Sequence, residues 1–191
     1  MLAAEMHSGF TALRSHCAMN LRVSYEDCAP TDAVLADLAR LDRVWAWARD
    51  KTEGDWLCGD YSAADAFFAP VAARIAGHNL SVSEGAMAYV EAHLRHPSFR
   101  RWRAMGLVDG ADQPFYARDW PTRDWPGPLP LAAQAVETGP SVNASCPYSG
   151  KPVTHFMTMD GTVYGFCNAF CRDKTVADPE AWPAFMALRD A

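Results

Sequence analysis

No stretch of roughly 18 consecutive apolar residues occurs in the chain, so no segment reads as a membrane-spanning helix. The first residues also lack the basic, apolar, small-residue succession of a secretory signal, and the expected location is the cytoplasm. Positive charge is in short supply: 17 Lys and Arg against 23 Asp and Glu leave a formal net charge of -6. A nucleic-acid backbone demands a clustered basic surface, so neither nucleic acid nor a membrane is an expected partner. The one local gathering, Arg95, Arg100, Arg101 and Arg103, falls at the end of a predicted helix and reads as a solvated face complementing the helix C-terminus. A catalytic constellation is missing too, since His7 and His16 have no nucleophile or acid at a meaningful spacing. The chain has 6 cysteines, unevenly placed, and a reducing compartment favours metal or free-thiol roles over disulfides. Cys17, Cys28 and Cys58 have no ligand spacing and read as small buried or half-buried hydrophobes.

What is present is core-forming material: 50% of the 191 residues are hydrophobic, enough for one generous domain or a medium domain followed by a small one. Leu2, Met6, Phe10, Leu13, Cys17 and Leu21 follow one another at steps of three and four, which predicts a single long amphipathic helix. Thr31 caps a second, with Val34, Leu38, Leu41, Trp45 and Ala48 on one face. Ser62-Ala63-Ala64-Asp65 is a capping box, and the nearly uncharged helix behind it, from Ala63 to Ile75, is a central one. Ser83 precedes a further helix through Leu94, and Pro97 starts a short one carrying Phe99 and Trp102. The predicted class is mainly α, with a helical domain over 1–110.

From 111 to 143 the periodicity fails, and six of the 13 prolines fall here. This is linker or wrapping tail. Trp120 and Trp125 are costly to leave in water, so part of it is expected to lie against the helices. A second unit over 144–191 follows, in which Asp160-Gly161 between apolar runs is a hairpin signal. Cys146 sits in a turn, and Cys167 and Cys171 stand at i and i+4, expected on one face at a helix start. The helix dipole favours thiolates there, and soft sulfur ligands select zinc or copper(I). Val153, Phe156, Phe166, Phe170, Trp182 and Phe185 make only a thin expected core, so metal binding would supply folding energy. A fourth ligand is open among His155, water, an exogenous thiol or no ligand.

Two resemblances attach to these motifs. Ala4-Glu5-Met6-His7-Ser8-Gly9-Phe10 together with Gly59-Asp60-Tyr61-Ser62-Ala63-Ala64-Asp65 and Phe99-Arg100-Arg101-Trp102 resembles the all-helical C-terminal domain of bacterial glutathione transferases over residues 2–106. In that family a preceding thioredoxin-like domain binds glutathione and supplies the catalytic group, and these residues do not contain one. The resemblance therefore implies little or no conjugation by this chain alone. With the glutathione-binding half supplied, it implies attack of the glutathione thiolate on a hydrophobic electrophile, with Glu5, Met6, Phe10 and Arg14 lining the electrophile pocket. It leaves open a homodimer and whether Met1 is the true start. From Cys146-Pro147-Tyr148-Ser149-Gly150-Lys151-Pro152 through Cys167 and Cys171 to Asp178-Pro179-Glu180 and Trp182, the tail resembles the YHS/TRASH class of small metal-binding domains. That class implies a treble-clef-like hairpin and helix, although Thr175 stands where a phenylalanine is usual. The alternative to a transferase-family protein is a non-enzymatic metal-handling or protein-interaction module on a helical scaffold.

Overall fold

The structure, a computed structural model, describes residues 1–191 and is mainly α with small antiparallel sheets. It divides into two compact units, 1–96 with 112–127, and 97–111 with 128–191.

In the first unit, α1 (Leu2–Ser8) and α2 (Thr11–His16) replace the single long helix. The Gly9 N–H closes α1 on the Glu5 carbonyl, and Phe10 adopts left-handed φ 58° before the chain re-enters a helix. A Cβ at Gly9 would lie 2.7 Å from the Glu5 oxygen, so a side chain at this position would collide with the turn. The apolar spacing survives the break because both short helices bury one side, and Phe10 reaches Phe68 at 6.4 Å between ring centres. The third helix, α3 (Asp32–Arg49), starts where Thr31 Oγ1 accepts from the Val34 N–H and buries Val34, Leu38, Leu41, Trp45 and Ala48.

Central α4 (Ala63–Gly77) opens with the expected capping box. Asp65 is fully buried and accepts from the Ser62 N–H and hydroxyl, the Leu57 N–H and the Tyr89 hydroxyl. Burial alone would raise its pKa, but these donors outweigh it and hold the carboxyl below its ordinary value. The last helix of this unit, α5 (Glu84–Arg95), starts at Ser83, whose Oγ accepts from the Ala86 N–H.

Segment 112–127 belongs to this unit and is not a free spacer. Thr122–Arg123 (β2) pairs antiparallel with Ser24–Tyr25 (β1). Trp120 lies 5.3 Å from Tyr25 between ring centres, and Trp125 packs on Gly77. Half-burying the two indoles against this unit fixes the segment that its prolines made irregular.

The second unit begins with α6 (Pro97–Val108), in contrast to the expected helical domain over 1–110. A three-stranded antiparallel sheet runs in the order β3 (Gln134–Val136), β4 (His155–Met159), β5 (Thr162–Phe166). The β4–β5 turn has φ 51° at Asp160 and 78° at Gly161, the two positive values that an Asp-Gly hairpin supplies. Then come α7 (Ala169–Ala177), a 3-10 turn at Pro179–Ala181 and α8 (Pro183–Arg189).

The core holds Ala104 of α6, Cys146, Met157, Met159, Tyr164, Phe166, Trp182 and Phe185. Of the expected aromatics, Phe166, Trp182 and Phe185 are inside, whereas Phe170 is 40% exposed and Phe156 is half-buried. Strand alternation explains the place of Phe156, because Met157 and Met159 take the inward face of β4. Arg100 also departs from the expected solvated face. Its guanidinium is bidentate on Asp178, at 2.8 and 2.6 Å, and reaches Glu180 at 3.0 Å.

Candidate metal centre

The turn that carries Cys146 is closed by backbone. The Cys146 N–H donates to the Lys151 carbonyl at 2.8 Å and the Gly150 N–H to the Cys146 carbonyl at 2.9 Å. Gly150 has φ +67°, so the sequence places glycine where the turn enters the left-handed region. Cys167 follows β5, and Asn168 is the N-cap of α7, its Oδ1 accepting from the Cys171 N–H at 2.8 Å. Cys167 therefore precedes the helix instead of sharing its face with Cys171. This cap fixes the helix start between the two thiols.

These elements bring the Sγ atoms of Cys146, Cys167 and Cys171 within 4.8 Å of one another. A tetrahedral zinc–thiolate site has Zn–S near 2.3 Å, which implies S···S of about 3.8 Å, so closing on a metal needs about 1 Å of movement at most. Cys146 is buried, and the other two are half-buried. The group can hold a metal ion.

The electrostatics favour thiolates unevenly. Burial works against the Cys146 thiolate, but the backbone N–H groups of Cys167, Tyr148 and Ser149 and the Ser149 hydroxyl prevail and bring its pKa down to about 7. Cys171 is pushed up to about 11, first by burial and then by the neighbouring Cys146 and Cys167 sulfurs, with Lys174 partly opposing. Ser149 Oγ donates to Cys167 Sγ at 3.2 Å, and Asn168 Nδ2 lies 3.4 Å from the same sulfur. A cation would convert the mutual repulsion of three thiolates into shared attraction.

A second layer supports the thiols. Thr175, fully buried, donates to the Cys171 carbonyl at 2.7 Å and bonds the Tyr148 hydroxyl. Lys174 Nζ lies 4.2 Å from the Tyr148 ring centre and 3.9 Å from that of Trp182, whose indole N–H donates to the Lys174 carbonyl. Thr175 thus fills the position where phenylalanine was expected with hydrogen bonds in place of apolar volume.

His155 is outside the thiol group. Its Nδ1 lies 2.9 Å from Thr154 Oγ1, and Thr154 donates to the Cys167 carbonyl at 3.0 Å.

In the first unit, the four residues expected around an electrophile have separate surroundings. Glu5 is ion-paired with Arg40 at 2.6 Å, and Met6 and Phe10 are buried in the core. Arg14 donates to the His7 carbonyl and lines a surface cavity with Arg74 and Tyr116. Sequence spacing could not find Arg74 or Tyr116, which come from distant elements.

Comparisons of the chain with known protein families, with curated proteins and with solved structures give no match. No helix is long and apolar enough to cross a membrane.

Proposed function

We propose that the chain is a metal-handling protein whose second unit is a YHS/TRASH-like, treble-clef-like module that binds zinc or copper(I) through Cys146, Cys167 and Cys171. The observation that carries this reading is the convergence of three thiols within 4.8 Å from a turn, a strand end and a helix start. All-sulfur donors suit soft or borderline cations over magnesium or calcium. The residues of this chain would do three things there: Cys146 enters most readily as thiolate, Ser149 and Asn168 hold Cys167, and Thr175 with Tyr148 fixes the Cys171 backbone. With three protein ligands the fourth position is left to water or an exogenous thiol, an arrangement suited to metal transfer or sensing.

Cobalt(II) substitution tests the reading. Intense near-ultraviolet thiolate-to-cobalt charge transfer, saturating at one equivalent and reduced in Cys146→Ser, Cys167→Ser and Cys171→Ser, is the expected result. A spectrum of hexaaqua cobalt unchanged by protein would end it.

The helical body is proposed as a glutathione-transferase C-terminal-type scaffold, supported by the Ser62–Asp65 box and its buried ties to Leu57 and Tyr89. On this reading conjugation requires a glutathione-binding half from elsewhere. Turnover of a chlorinated aromatic electrophile with glutathione by these 191 residues alone would contradict it.

A further inference from the structure

We infer that a cavity within the first unit, lined by Thr11, Arg14, Ser15, Met19, Arg74 and Tyr116, is a binding site for a small phosphate monoester. Its volume is about 400 Å³, which exceeds what a bare oxyanion needs and falls in the range of small-molecule sites.

Two arginines line it from separate elements, Arg14 from α2 and Arg74 from α4, and no acidic residue lines it. Arg74 Nε donates to the Cys17 carbonyl at 3.0 Å and Nη1 to the Pro70 carbonyl at 3.2 Å, while Arg14 Nη1 donates to the His7 carbonyl at 3.0 Å. These bonds orient the two forks without cancelling their charge, and neither arginine takes part in any of the chain's ion pairs. In a chain of net charge -6, two uncompensated arginines facing one cavity are an anion-complementary arrangement.

Arg74 bears the cost. Burial, and then the charge of Arg14, depress its pKa, so an anion between the two would relieve both.

Charge and geometry select the ligand class. Two guanidiniums match the two negative charges of a phosphate monoester at neutral pH better than the single charge of a carboxylate, and each fork can take a pair of phosphate oxygens. The hydroxyls of Thr11, Ser15 and Tyr116 add donors, and Met19 supplies an apolar wall for the organic part. This site is independent of the thiol group.

Isothermal titration of the full chain with phenyl phosphate, benzoate and benzamide tests the inference. Phenyl phosphate should bind saturably, weaken as salt rises, be displaced by inorganic phosphate, and lose at least about tenfold in affinity in Arg14→Gln and in Arg74→Gln. Arg95→Gln, which removes an exposed pair with Glu91, should leave binding unchanged. Because Arg74 also ties two backbone carbonyls, far-ultraviolet circular dichroism checks that variant, and Arg14→Gln decides alone if Arg74→Gln unfolds. Absence of saturable phenyl phosphate binding, or equal affinity for benzoate, or an Arg14→Gln variant that binds like the parent, overturns the proposal.

Discussion

Mild acid should destabilise the helical unit, because two histidines are buried in neutral form. His93 is fully buried among Trp56, Tyr61 and Tyr89, with neither ring nitrogen hydrogen-bonded. His78 is 2% exposed, with Nδ1 on the Arg74 carbonyl and Nε2 unpartnered. Burial holds both at about 4 against an ordinary 6.5, outweighing the Arg74 carbonyl that favours the charged form of His78 and the Asp65 charge that favours that of His93. Between these values the unfolded chain binds protons that the folded one refuses, so stability rises with pH across this window. It is fully present above pH 6.5, and the loss is complete below pH 4. One pKa unit is 1.36 kcal/mol, so moving from about pH 7 to about pH 5 removes about 2 kcal/mol per histidine, roughly 4 kcal/mol for both. That is a large share of the roughly 5 to 15 kcal/mol that holds a domain together. Urea unfolding followed by circular dichroism should show the midpoint falling by about 2 M over this range for a slope near 2 kcal/mol/M. His93→Phe should remove about half of the pH dependence. Equal midpoints at both pH values, or a His93→Phe variant with the parent's full pH slope, would refute the reasoning.

Asp65→Ala strands the Leu57 N–H, the Tyr89 hydroxyl and both Ser62 donors, and should cost about 3 to 5 kcal/mol in urea unfolding, whereas Ser62→Ala should cost about 1 kcal/mol. Arg100→Ala leaves Asp178, 6% exposed, without its bidentate partner and should destabilise the second unit by about 3 kcal/mol, while exposed Arg95→Ala should change stability by less than about 0.5 kcal/mol. Thr175→Val keeps the shape but removes the bonds to Tyr148 and the Cys171 carbonyl, for an expected loss of about 1 to 2 kcal/mol in chemical denaturation.

The caps and core faces were legible in the sequence because they are local. Thr31 and the Ser62–Asp65 box are decided within one helical turn, and the face from Val34 to Ala48 follows helical period alone. The break at Gly9 and Phe10 was not legible, because a three-and-four spacing is preserved by two short helices that bury the same side. Segment 111–143 was legible as aperiodic but not as shared. Its early part is held by Trp120 and Trp125 within the first unit, and Gln134–Val136 is held by pairing with β4, partners far away in sequence. At the thiol site, the three cysteines followed from type and spacing. The Asn168 cap, the Ser149 hydroxyl and the place of Thr175 against Tyr148 emerge only when turn, hairpin and helix are assembled. Arg100 illustrates the same limit, since its partner Asp178 lies 78 residues away.

Elemental analysis of protein purified without chelator tests the metal reading most directly. The account predicts about one equivalent of zinc or copper per chain, lost in the Cys167→Ser, Cys171→Ser double variant while Cys17→Ser retains it. A second unit that is folded and metal-free when isolated under those conditions, or metal content unchanged in the double variant, would contradict it.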